Sequence, residues 1–162
     1  MRAVAHLFCF FTLTLFFIDK SEAQRIAHAS IKVGEIVLDG KLSEIDWATA
    51  EGSTGLTQYS PNPGDKSSQK TEIRILYDDE AIYVGAQMFD TAPDSILMQY
   101  SQRDQVKNSD EFGIQFSPYN DGINGVAFAT TPAGILVDVN ISPTGQDFNW
   151  DAVWNVQAIV FF

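Results

Sequence analysis

The chain has 162 residues, 45% of them hydrophobic and 19% charged, and its 21 acidic against 10 basic residues leave a net charge of −11. So acidic a surface repels phosphate backbones and argues against nucleic acid as a partner. The single cysteine, Cys9, lies in the N-terminal apolar run and His28 is the only histidine beyond that run, which excludes disulfides, thiolate metal sites and an imidazole-based triad from the remainder.

Arg2 precedes an apolar run from Val4 to Ile18, too short to cross a bilayer comfortably but of the right length for the core of a secretory signal. Ser21 and Ala23 place small residues three and one positions before a cut at Gln24. Residues 1–23 are therefore expected to be a removed signal peptide, with an uncleaved membrane anchor as the alternative reading. Residues 24–30 then form a polar lead-in and 31–162 a single domain, exported to the periplasm, the outer membrane or the extracellular space.

Ile31 to Leu38 reads as a first strand that ends in the turn Asp39-Gly40, where glycine tolerates positive φ. Ser43 is placed to cap a short helical turn holding Ile45, Asp46, Trp47 and Ala50, with Trp47 expected as a core plug rather than a stacking platform. Gly52 to Lys70 is a loop by composition, broken by Ser60-Pro61-Asn62-Pro63-Gly64.

Thr71 to Asp90 carries the clearest signal. Ile73, Ile75 and Tyr77 alternate on one face, then Ile82, Val84, Ala86 and Met88 do so after Asp78-Asp79-Glu80, which is a hairpin pattern. Tyr83 and Phe89 add apolar groups to the opposite face of the second strand, as expected of a central strand. A polar excursion from Thr91 to Ser109 follows, with Asp94, Arg103, Asp104 and Lys107. Strands resume with Phe112, Ile114 and Phe116, then Val126 to Thr130 after the turn Asn120-Asp121-Gly122. The turn Pro132-Ala133-Gly134 leads to Ile135, Val137, Val139 and Ile141, which alternate with Asp138 and Asn140. Short strands separated by turn signals predict an all-β fold, an antiparallel β-sandwich of immunoglobulin or jelly-roll type with one short helical turn.

Asn149 to Phe162 holds Trp150 and Trp154 and then an apolar strand with no polar turn after it. Such a strand has no obvious neighbour and would be an aggregation-prone edge, as expected of a fragment of a longer protein.

Several segments together resemble the family 9 carbohydrate-binding modules. They are Leu38-Asp39-Gly40 with Glu44, Trp47 and Ala50; Ile75-Leu76-Tyr77-Asp78-Asp79 with Ile82-Tyr83-Val84, Asp90 and Pro93; Arg103-Asp104; Asp110-Glu111-Phe112; Tyr119-Asn120-Asp121; Pro132-Ala133-Gly134 with Asp138; and Trp150 to Trp154. The chain is similar in particular to the family 9-like domain that follows the signal peptide of large bacterial outer-membrane proteins whose remainder looks like a membrane β-barrel. The resemblance implies a sandwich, a structural calcium ion and carbohydrate binding through aromatic faces and polar groups. It makes Asp90 a calcium ligand, to which Asp94, Asp104 and Asp110 add oxygens; solvated loop charges are the alternative for these last three. The sugar site departs from the family pattern. Where members with a glucose-type pocket carry a loop aromatic, a strand acid and an arginine, this chain has Lys107, Gly113 and Ala129, and a second stacking aromatic normally comes later than Phe162.

Trp150 and Trp154 are candidates for a replacement platform, since their spacing places both rings on one face of an extended segment, and core packing is the other reading. Arg103 is a candidate donor to sugar hydroxyls, or the partner of Asp104 or Asp110 in an ion pair. The expected function is non-catalytic binding of a polysaccharide or oligosaccharide in polysaccharide catabolism. The alternative is the structural or interaction head of an outer-membrane β-barrel protein. Glycoside hydrolysis needs two carboxylates flanking a cleft, and many such pairs can be drawn from 21 acids, so any hydrolase activity is expected in a partner domain.

Overall fold

The structure is a computed structural model that describes residues 26–161. The expected signal peptide lies outside the described residues. What is described is an all-β sandwich built from two sheets, with strands β1 (Ala29–Ile31), β2 (Thr71–Tyr77), β3 (Ile82–Met88), β4 (Phe112–Phe116), β5 (Gly125–Thr130), β6 (Leu136–Ser142) and β7 (Gly145–Asp147). The only α-helix among the described residues, α1 (Ile45–Thr49), is a single short turn of the kind expected. One sheet has the order β1-β2-β3 and the other β4-β5-β6-β7.

The hairpin β2–β3 has the register its alternation predicts, with Ile75 opposite Val84 and Tyr77 opposite Ile82. Asp78 closes its turn by accepting the N–H groups of Glu80 and Ala81 and the Tyr83 hydroxyl, and Lys32 pairs with it at 2.8 Å. β3 is the edge of its sheet among the described strands, which corrects the expectation of a central strand. Its two apolar faces have another cause. Tyr83 faces the cluster of Trp47, Ala50 and Leu76, while Val84, Ala86 and Met88 face the space between the sheets.

The first strand is also shorter than expected, and β1 runs parallel to β2. Beyond Lys32 the chain leaves the sheet because side chains replace its ladder. The N–H of Gly34 donates to Asp46 Oδ2 at 2.7 Å and that of Val37 to Glu44 Oε1 at 3.0 Å. These two carboxylates draw residues 33–37 over α1. Ser43 is not its cap, for Glu44 occupies that position and makes no side-chain cap bond.

Trp47 is buried as expected and lies on β3 because Gly85 lets it. A Cβ at Gly85 would stand 2.7 Å from Leu42 Cδ2 and 3.0 Å from Trp47 Cζ3. On the second sheet, the shared face of β4 and β5 carries Ile114 opposite Phe128 and Phe116 opposite Val126. The two apolar faces enclose an open interior of about 1170 Å³.

Residues 151–161 run extended across this interior with burial alternating at period two, but they form no ladder. The segment starts beside β6, where the Ala152 N–H meets Asp138, and reaches the Asp39-Gly40 turn at Ile159. Gly40 has φ +82°, and a Cβ there would lie 2.6 Å from Ile159 Cγ1. Two stability outcomes follow from this packing. Trp47→Ala is expected to cost roughly 3 to 5 kcal/mol in a denaturant titration, as a large truncation in a buried cluster. Gly40→Ala is expected to lose about 1 kcal/mol or more, because the substitution adds left-handed strain to a clash with Ile159.

Candidate functional site

The polar centre of the molecule is Asp138 on β6, whose side chain is fully buried at 0% exposure. Its register places it opposite Phe128, on the face that meets the interior. The alternation along β6 places Asp138 on the face opposite Val137, Val139 and Ile141. Both faces of the strand are covered here, with Asp138 and Val139 both buried.

A buried carboxylate must be paired and hydrogen-bonded, and Asp138 is both. The Arg103 guanidinium donates to its Oδ1 from Nε at 3.0 Å and from Nη2 at 2.5 Å. The Ala152 N–H donates to Oδ2 at 2.5 Å, and the Trp154 indole Nε1–H reaches Oδ1 at 3.4 Å. Arg103 Nη2 also donates to the Ala152 carbonyl at 2.9 Å, while Asp151 and Asp104 flank the guanidinium at 3.3 and 3.6 Å. A single side chain thus holds the 91–109 excursion and the C-terminal segment to one strand.

Asp104 tightens the same joint. Its backbone N–H donates to the Leu136 carbonyl and its carboxylate accepts the Asp138 N–H at 2.9 Å. It adopts φ +59°, a left-handed conformation that aspartate tolerates better than most residues. The loop around Arg103 is therefore preorganised from behind.

Arg103 meets Asp104 as one of the two expected pairings, but Asp138 is its principal partner. Asp110 is not among its partners and instead accepts the Leu97 N–H at 2.9 Å. Trp150 and Trp154 do not form a solvent-facing pair. Both are half-buried against Phe128, with ring centroids 6.1 and 5.2 Å away, in the packing role that is the other reading of their spacing.

Of the four aspartates the resemblance assigns to calcium, Asp90 accepts the Ala92 N–H at 2.7 Å and Asp94 lies exposed in the 3-10 turn Pro93–Ser95. Asp104 and Asp110 are bonded as described above. Among the described residues no three His, Cys, Asp or Glu side chains come together in a group fit to hold a metal ion. Three of the four carboxylates accept backbone N–H groups and the fourth, Asp94, faces solvent.

Outward from the Arg103 joint lies a shallow depression of about 220 Å³, lined by Gln99, Tyr100, Ser101, Gln102, Gln105 and Lys107. Tyr100 is 77% exposed, and Gln105 Nε2 donates to Gln102 Oε1 at 3.2 Å. Sequence reasoning passed over Tyr100. The signal available was an aromatic ring set among amides and a hydroxyl within a loop.

Comparison with known protein families, curated proteins and solved structures finds no match.

Burial pushes the Asp138 carboxyl up, but the Ala152 N–H, the Arg103 guanidinium and the Trp154 indole N–H outweigh it and hold the group below the ordinary carboxylate value. A depressed folded value means that the contribution is present above the unfolded value near pH 3.9 and is lost as pH falls through the folded one. Denaturant titrations at pH 7 and pH 3 are expected to show this acid loss, and Asp138→Asn is expected to flatten it. At pH 7, Asp138→Ala is expected to cost roughly 3 kcal/mol, because it strands Arg103 and the Ala152 N–H.

Proposed function

We propose that this protein is a non-catalytic carbohydrate-binding module of an exported protein, with its sugar face on the loop from Gln99 to Lys107. The reading rests on one observation, the depression beside Tyr100. A pyranose has apolar C–H faces that stack on an aromatic ring and a rim of hydroxyls that needs amide, hydroxyl or ammonium partners. Tyr100 supplies the ring, Gln99, Gln102, Gln105 and Ser101 supply groups that both donate and accept, and Lys107 supplies a cation. The clamp of Arg103 and Asp104 behind this loop lowers the ordering that binding would otherwise require. The resemblance to family 9 modules points to the same ligand class, and the strongly acidic composition favours a neutral ligand over an anionic one.

A second reading, the structural head of an outer-membrane β-barrel protein, is favoured by the open interior and the unpaired segment 151–161. Calorimetric titration against soluble xylan, cellulose and chitin oligosaccharides separates the two. Under the first reading at least one of these binds, and Tyr100→Ala weakens it roughly tenfold or more with an unchanged melting temperature. Silence across the panel from a folded protein supports the second reading.

A further inference from the structure

The segment after Asp151 has the side-chain pattern of a strand without the hydrogen bonds of one. Ala152, Trp154, Val156, Ala158 and Val160 are half-buried, and the residues that alternate with them are exposed, from Val153 at 104% to Phe161 at 71%. From Val153 to Phe161 no backbone N–H or carbonyl pairs with another backbone group among the described residues. Backbone groups at a half-buried position are ordinarily satisfied by a neighbouring strand, and an unpaired row of this kind is a template for one. The segment borders the interior between the sheets, whose apolar lining includes Ile75, Val84, Met88, Phe112, Ile114 and Phe116.

We propose that an extended polypeptide strand from a partner, apolar at alternate positions and basic at one end, adds beside residues 153–161 and lays its apolar side chains between the sheets. Three features select this occupant. A row of N–H and C=O groups without backbone partners among the described residues calls for another backbone, which a lipid or a hydrophobic small molecule does not offer. The space of about 1170 Å³ also exceeds the roughly 300–1,000 Å³ of small-molecule sites. Charge sets the third feature, since Asp79 and Glu80 line the same space, are exposed and form no ion pair among the described residues. They favour a basic end on the incoming strand, and a net charge of −11 disfavours a second copy of this chain.

The test uses the purified protein and a labelled synthetic peptide of about ten residues, alternating valine and threonine with one terminal lysine, long enough to run the length of the segment. The peptide is expected to bind saturably, to raise the melting temperature, and to bind more weakly when its lysine is replaced by glutamate. Asn155→Pro with Gln157→Pro removes two N–H groups that make no bond among the described residues, in a segment whose burial alternates at the period of extended backbone. This double variant is expected to melt like the parent and to bind the peptide at least about tenfold more weakly. Should the prolines disturb folding, Val153→Lys, at a fully exposed position, guards the same edge with a charge and is expected to weaken binding likewise. Absence of binding, or binding indifferent to these substitutions, would overturn the proposal. So would sedimentation showing that the protein self-associates through this segment, which would make a second copy the occupant.

Discussion

The Asp138 carboxylate is the interaction on which the rest of the structure depends. It lies on an inner strand face where an apolar residue would ordinarily sit, and it is tolerable there only because Arg103, the Ala152 N–H and the Trp154 indole satisfy it together. Those partners are separated in sequence by up to 51 positions, from Arg103 to Trp154. Gathering them draws a long polar excursion and the C-terminal segment onto the same strand. An apolar residue at position 138 would fill the space but would specify neither neighbour, which is the registry role that buried ionic groups can serve.

A second centre, built from Trp47, Ala50 and Leu76, sits on the far side of the first sheet from the interior. The carboxylates of Asp46 and Glu44 hold residues 33–37 over it, so the N-terminal part of the domain is organised by short side-chain-to-backbone bonds and a single aromatic plug. The space between the two sheets is lined by apolar residues but incompletely filled, and the segment from Val153 to Ile159 runs along it. The molecule is thus tightly determined at two centres and open between them.

These features bear on function in different ways. The Arg103 joint holds from behind the loop that carries Tyr100, the exposed ring among amides on which the proposed sugar face rests. The open interior and the unpaired segment are surfaces of another sort, apolar and rich in backbone hydrogen-bonding capacity, and suited to polypeptide. The two lie on different parts of the fold, so a sugar and a strand would not compete for the same groups.

Local pattern alone determined the β2–β3 hairpin, the strands β4 to β6, the glycine turns at Gly40, Gly122 and Gly134, and the burial of Trp47. Each depends on side-chain periodicity or on the φ preference of a single residue, which neighbouring positions suffice to specify. The tertiary structure decided what contacts between distant residues control. Asp138 reads as a solvent-facing alternate until Arg103 and Ala152 arrive to pair with it. Trp150 and Trp154 read as core packing or as a platform until Phe128 lies against both. Ile31 to Leu38 reads as one strand until Asp46 and Glu44 offer its N–H groups better-placed acceptors. Asp104 reads as a loop charge until the Asp138 N–H donates to it. In each case the deciding energy is the satisfaction of a buried charge, ring or backbone group by a partner that the linear order of residues does not place beside it.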